Sequence, residues 1–211
     1  LEGADYSGKT IYLKYINDSY DYVDIDSSKI ENGNFFLKGN VQDTPRLGFV
    51  LFKERNLPGA MIILEPGNIS LTMTQPYTVK GTPKNDEFQQ FYNEQNKMVE
   101  KIYSLPPKTG ENSKEYQELY GQLKKSSADY LRKNIKNKVG EYLLLDLSGS
   151  LDKETVLELL AETRTDFSKS KLARQLHQSL NSRQPSIGDN YLDVKLYNEE
   201  GKEVSLSDYI G

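Results

Sequence analysis

Apolar and polar residues alternate with a period of two from residue 9 to about residue 80. Ile11, Leu13 and Tyr15 alternate with Tyr12 and Lys14, Val23 and Ile25 with Asp24 and Asp26, and Phe35 and Leu37 with Phe36 and Lys38. Every second side chain then falls on one face, so these runs predict half-buried β-strands. Turn residues interrupt them at Asn17-Asp18, Asn32-Gly33, Gly39-Asn40, Pro45, Pro58-Gly59 and Pro66-Gly67. Short strands at this spacing predict an antiparallel β-sandwich or open barrel. Asn32-Gly33 is the sharpest local signal, because both residues accept the positive φ that a tight hairpin turn requires.

The period changes at Gly81-Thr82-Pro83. Thr82 suits a helix cap, Pro83 suits the first helical position, and Asp86 and Glu87 suit the first turn, so a helix is expected to follow. Phe88, Phe91, Tyr92, Met98, Val99, Ile102 and Tyr103 recur at three- and four-residue steps until Leu105-Pro106-Pro107 stops them. A second helix is expected over 113 to about 138 on Tyr116, Leu119, Tyr120, Leu123, Leu131 and Ile135, weakened by Gly121. Shorter helices are expected over 139–147, over 153–163 behind Asp152, and over 169–181 behind Ser168. Residues 181–188 read as a linker. Beyond it, DVKLYN and KEVSLSDY face each other across Glu199-Glu200-Gly201, which predicts a hairpin. The fold class is therefore α+β, with an antiparallel β domain over 1–81, a helical domain over 82–183, and a linker with an opening hairpin over 184–211. That last unit is expected to continue past Gly211.

Composition narrows the chemistry. The 211 residues carry a net charge of -4, which argues against nucleic acid and anionic lipid as partners. The longest apolar runs, Met61–Leu64 and Leu143–Leu145, are too short to cross a bilayer. There is no cysteine, so the chain itself offers no thiolate, disulfide or zinc-thiolate site. Fifteen tyrosines and no tryptophan suit half-buried sheet faces.

Asp18, Asp21, Asp24 and Asp26 form the densest acidic cluster, but Asp24 and Asp26 sit two apart on a strand rather than around a tight calcium-binding turn. A solvated strand face is the expected reading. Lys124, Lys125, Arg132, Lys133, Lys136 and Lys138, with Tyr130 among them, form the main basic stretch and read as the wet face of a helix. His177 stands alone, without a second metal ligand. Glu65 could be a lone catalytic carboxylate, but acid–base work needs a partner, and a strand-ending turn is the better reading.

Three segments carry a family pattern: IDSSKIENGNFFLKG at 25–39, IILEPGNISL at 62–71 and VKGTPKNDEFQQF at 79–91. In order and spacing they resemble the N-terminal domain of unknown function of Bacteroidetes-type thiol-disulfide oxidoreductases, cell-envelope proteins of the AhpC/TSA and thioredoxin type. Gly201 to Tyr209, GKEVSLSDY, is similar to the segment that opens the thioredoxin-like domain of that family. Asn190 to Val194 keeps the Asp of the preceding family motif and lacks its Pro.

The motif residues are Asp26, Ser27, Gly33, Phe35, Gly39, Glu65, Pro66, Gly67, Gly81 and Thr82, then Gly201, Lys202, Leu206 and Asp208, all read as structural. The short side chains of Asp26 and Ser27 are expected to bond the backbone where the strand turns. The resemblance implies a secreted or lipid-anchored envelope protein whose Trp-Cys-x-x-Cys lies just beyond Gly211. Its chemistry would be attack of a low-pKa thiolate on a substrate disulfide, with a second cysteine resolving the mixed disulfide.

The chain itself would be non-catalytic and without cofactor or metal, positioning, dimerising or presenting substrate. Its partners would be its own thioredoxin-like domain, a disulfide-bearing substrate protein and a second copy. Membrane contact would come only through an N-terminal lipid anchor outside the chain. The alternative is a stand-alone envelope β-sandwich module for a peptide, glycan or small ligand, against which an orphan two-stranded hairpin argues.

Overall fold

The computed structural model describes residues 6–17, 19, 21–40, 45–54, 56–74, 76–106, 113–182, 193, 195–197 and 202–209. Contacts divide the chain into two compact units, Leu1–Arg174 and Gln175–Gly211. The first begins with strands β1 (Thr10–Ile16), β2 (Tyr22–Lys29), β3 (Arg46–Phe52) and β4 (Ala60–Leu64), which form one antiparallel sheet in the order β2-β1-β3-β4. Two short strands, β5 (Ser70–Thr72) and β6 (Thr78–Lys80), pair as a separate ribbon. With the helices that follow, the chain is α+β, and the described strands close no barrel.

Period two explains β1: Ile11 and Leu13 are buried and pair with Phe52 and Val50 of β3. β2 slips by one residue, pairing Asp26 with Leu13 but Asp24 with Lys14, so Ile25 is the extra residue of a bulge. β3 is buried on both faces from Leu47 to Val50; the Phe49 ring meets Tyr142 edge-on at 5.6 Å. The Asn32-Gly33 turn forms as expected, with φ of 51° and 74°.

The strand expected at Phe35–Lys38 does not form a ladder: only Glu31 and Asn34 bridge. Side chains of β2 take the place of backbone carbonyls, Ser28 Oγ accepting from Phe36 N at 3.3 Å and Asp26 Oδ2 from Lys38 N at 2.7 Å. Alternation survives, with Phe35 and Leu37 half-buried and Phe36 exposed.

Helix α1 (Pro83–Ser104) starts at its proline and ends at Leu105, whose extended backbone precedes Pro106. The helices expected over 113–138 and 139–147 both form, the first ending at Asn134, four residues short of its expected bound. α2 (Lys114–Asn134) is capped by Ser113 Oγ, and α3 (Lys138–Leu147) by Asn137 Oδ1, which accepts from the amides of Val139 and Gly140. Two further helices are α4 (Lys153–Glu162) and the single turn α5 (Thr165–Ser168). The last, α6 (Lys171–Asn181), starts behind Ser170, whose Oγ accepts from Ala173 N; Ser168 ends α5 instead. In the second unit β7 (Lys195–Tyr197) and β8 (Glu203–Ser205) make the expected hairpin, its turn lying outside the described residues.

One contact that no local pattern announced locks the helical layer. Glu141 on α3 is 1% exposed, and Arg164 grips both its oxygens, Nε to Oε1 at 2.7 Å and Nη2 to Oε2 at 3.0 Å. Arg164→Met removes the two-point partner of that buried carboxylate and should cost about 3 kcal/mol in denaturant unfolding, whereas the double variant Glu141→Leu/Arg164→Met should recover much of it.

Candidate functional site

The three family-like segments come together in two places, and the stronger is the seam between β4 and α1. β4 lies at an edge of its sheet, where unpaired backbone groups need partners. Asn85 supplies them. Fully buried in the first turns of α1, its Oδ1 accepts from Ile63 N at 2.8 Å, and its Nδ2 donates to Ile63 O at 2.7 Å and to Thr82 Oγ1 at 2.8 Å. The amide does what a neighbouring strand would do.

Thr82 therefore holds the Asn85 side chain and makes no side-chain cap bond. The cap comes from Glu65, at the end of β4: its Oε1 accepts from Lys84 N at 2.7 Å and Asn85 N at 3.0 Å. A carboxylate facing free helix amides is favoured by both charge and dipole. Glu65 is thus a structural anchor.

Two glycines let the turns on either side interlock. Gly67 has φ of 132°, and a Cβ there would lie 2.7 Å from Thr82 Cγ2. Gly81 has φ of 106°, and its Cβ would lie 2.6 Å from Asn68 O. Backbone angle and space both demand glycine. Pro66, just before Gly67, is exposed. Asp86 Oδ1 accepts from Gly81 N at 3.0 Å, and Gln89 Oε1 from Val79 N, tying α1 to β6.

The second place is the β2 edge. Asp26 accepts from Ser27 N at 2.8 Å and from Lys38 N at 2.7 Å, and these backbone bonds, the Lys38 bond foremost, hold its carboxyl below the usual value. A Cβ on Gly39 would lie 2.8 Å from Ile25 Cγ2. Of the hairpin residues, Asp208 Oδ2 accepts from Ser205 N at 2.8 Å, Lys202 and Leu206 are exposed, and Gly201 lies outside the described residues. Asp193 also bonds this segment, accepting from Ser207 N and Oγ, both at 2.9 Å.

The other candidates disperse. Asp24 bonds Lys14, Asp26 serves the backbone, Asp21 is exposed and Asp18 lies outside the described residues, so these carboxylates do not converge. Among the described residues no cluster of three or more acidic, histidine or cysteine side chains could hold a metal. Most of the basic stretch is paired: Lys124 with Asp152 at 2.7 Å, Lys125 with Asp129 at 2.9 Å, Arg132 with Asp129 and Glu158, and Lys138 with Glu141 and Asp166. His177 is exposed on α6 near Asn181.

One open groove of about 340 Å³ runs between α1 and α2. Phe91 and Tyr130, stacked at 4.2 Å, form its floor; Glu87 and Glu94 line one wall and Lys125 and Lys133 the other. Burial, reinforced by Glu87, pushes the Tyr130 hydroxyl pKa up, so it stays protonated. The floor is itself nearly sealed, with Tyr130 6% and Phe91 8% exposed. Little of that aromatic floor is open to a ligand.

Residues 2–88 match the family model described as Domain of unknown function (DUF4369). No curated protein and no solved structure matches the chain. The matched span ends at Phe88, so it takes in β4, both interlocked turns and the start of α1.

Replacing Asn85 by Asp keeps the acceptor for Ile63 N but sets an acceptor against Ile63 O. Unfolding in denaturant should show a loss of about 2–4 kcal/mol, and Gly81→Ala a loss of about 1–3 kcal/mol. Asp26 has a depressed folded pKa, so its contribution is present above the ordinary aspartate value, about 3.9, and is lost as pH falls through the folded value. Asp26→Asn should therefore lower the melting temperature at pH 7, and the gap from wild type should shrink in acid below about pH 4.

Proposed function

We propose that the chain is the non-catalytic accessory region of a cell-envelope thiol-disulfide oxidoreductase. It positions a disulfide-bearing substrate protein for a thioredoxin-like domain whose opening hairpin is β7–β8. The observation that carries this reading is the order of parts. A domain of the matched family comes first, its motifs gathered at the seam; a helical layer follows; then comes a hairpin bearing the GKEVSLSDY segment. Asp193 and Asp208 brace that hairpin through backbone amides, as residues at the start of a continuing sheet must be braced.

The division of labour follows from chemistry. Thiol-disulfide exchange needs a thiolate, and the chain has no cysteine to provide one. Its acidic and basic side chains are largely engaged with one another or with backbone amides. Such a region can hold and orient, while electron transfer belongs to a following domain. An envelope location, by secretion or lipid anchor, belongs to the same proposal.

A second reading, a stand-alone envelope module for a peptide or glycan, has the α1–α2 groove in its favour. The two readings separate cheaply. In the gene, the first predicts Cys-x-x-Cys within about twenty residues after Gly211; a reading frame without it removes the proposal. The chain alone should show no reduction of insulin disulfides under dithiothreitol, and restoration of turnover on extending it through that motif would place the activity where the proposal does.

A further inference from the structure

α1 and α2 run antiparallel, joined by Ser127 Oγ to Gln95 Oε1 at 3.2 Å and by the Phe91–Tyr130 stack. All their buried residues lie in the half nearest the sheet: Asn85, Phe88 and Phe91 on α1, and residues between Ser127 and Asn134 on α2. From Tyr92 to Ser104 and from Lys114 to Ser126 no residue is buried. Yet Met98, Val99, Ile102, Leu119 and Leu123 continue the apolar spacing, half-buried. The pair thus extends as an arm about 20 Å long, past the elements its inner half packs on.

The sides that meet the rest of the unit can be followed outward by helical steps of three and four. On α1 the side of Asn85 continues through Tyr92 and Val99 to Tyr103, which is 85% exposed. On α2 the side of buried Leu131 and Ala128 continues through Lys124 to Gly121. Gly121 is a helix-interior glycine with nothing within 4 Å of the place its Cβ would occupy. Within the chain it weakens the helix relative to alanine and packs against nothing. A close-crossing helix would use that gap.

Charge selects the occupant. Glu118 lies three residues before Gly121, and Lys125 lies four after it. Two copies of α2, antiparallel and crossing at Gly121, set Glu118 of each opposite Lys125 of the other. Among the described residues both side chains pair with neighbours four residues away on their own exposed helix, Lys114 and Asp129, and such pairs are weak enough to exchange. A partner of one sign would meet repulsion on one flank; a copy related by a two-fold axis meets attraction on both.

We propose that this arm is a self-association surface, where a second copy of the chain docks by antiparallel pairing of α2 across Gly121, with Tyr103 covering the flank. Sedimentation velocity of the full chain from about 1 to 100 μM should show a monomer–dimer equilibrium. Gly121→Leu and Tyr103→Glu should each yield a monomer with an unchanged far-ultraviolet circular dichroism spectrum. Glu118→Lys should weaken the dimer at least about tenfold, and adding Lys125→Glu should restore it, a rescue that a merely structural role would not produce. A monomer throughout the range, or a dimer indifferent to all of these changes, overturns the inference. The redox proposal rests on the hairpin and the family motifs, so it would stand either way.

Discussion

The fold depends on one buried amide. A sheet edge that meets a helix leaves strand backbone groups that neither water nor the helix backbone can satisfy, because a helix uses its own N–H and C=O groups internally. Asn85 resolves this by presenting donor and acceptor together to Ile63, while Glu65 returns the favour from the strand by capping the helix. Sheet and helix thereby complete each other's hydrogen bonding. Gly67 and Gly81 follow as consequences, since the two turns must approach closely enough for a side chain as short as asparagine to span the gap. The matched family region ends at Phe88, inside the helix, which is where such a coupled unit would end. A change of periodicity at Gly81 marks a change of secondary structure and does not mark a break in the hydrogen-bonded core.

Much of this was legible where a local rule was at work. Alternation at Ile11–Leu13 foretold β1, the positive-φ preference of Asn32-Gly33 foretold its turn, and Pro83 foretold the start of α1. The misses share a cause: side chains substituting for backbone, which no period records. Phe35–Lys38 reads as a strand but bonds to Ser28 and Asp26 side chains. The break between α2 and α3 was expected, but the end of α2 was set four residues late because Leu131, Ile135 and Val139 keep helical spacing across it, and the Asn137 side chain that caps α3 marks the boundary. Glu65 was recognisable as a turn residue, but its role as a cap needed α1 to be placed against it. The Glu141–Arg164 pair joins residues 23 apart and left no trace in either segment.

The charged residues that drew attention as candidate chemistry prove instructive in a different way. Taken from the sequence, four aspartates and six bases look like two clusters. In the fold they are separated by what each satisfies: a cross-strand lysine for Asp24, backbone amides for Asp26, and carboxylates on neighbouring helices for Lys124, Arg132 and Lys138. Exposed pairs of this kind add little stability individually. They do leave the surface without a field of one sign.

The hairpin of the second unit sets the final constraint. Strands of three residues each cannot hold a two-stranded ribbon by their own ladder, and isolated hairpins are marginal in water. What steadies this one is a pair of aspartates, Asp193 and Asp208, that accept from Ser207 and Ser205 across the strand end. These bonds fix how the segment leaves β8 while leaving Leu206 and Tyr209 exposed at 43% and 71%. Large apolar side chains held in a defined direction, on a ribbon too small to bury them, form an exposed apolar surface of the kind that a protein contact covers. The physical character of the segment and its likeness to the opening of a thioredoxin-like domain therefore support the same proposal by independent routes.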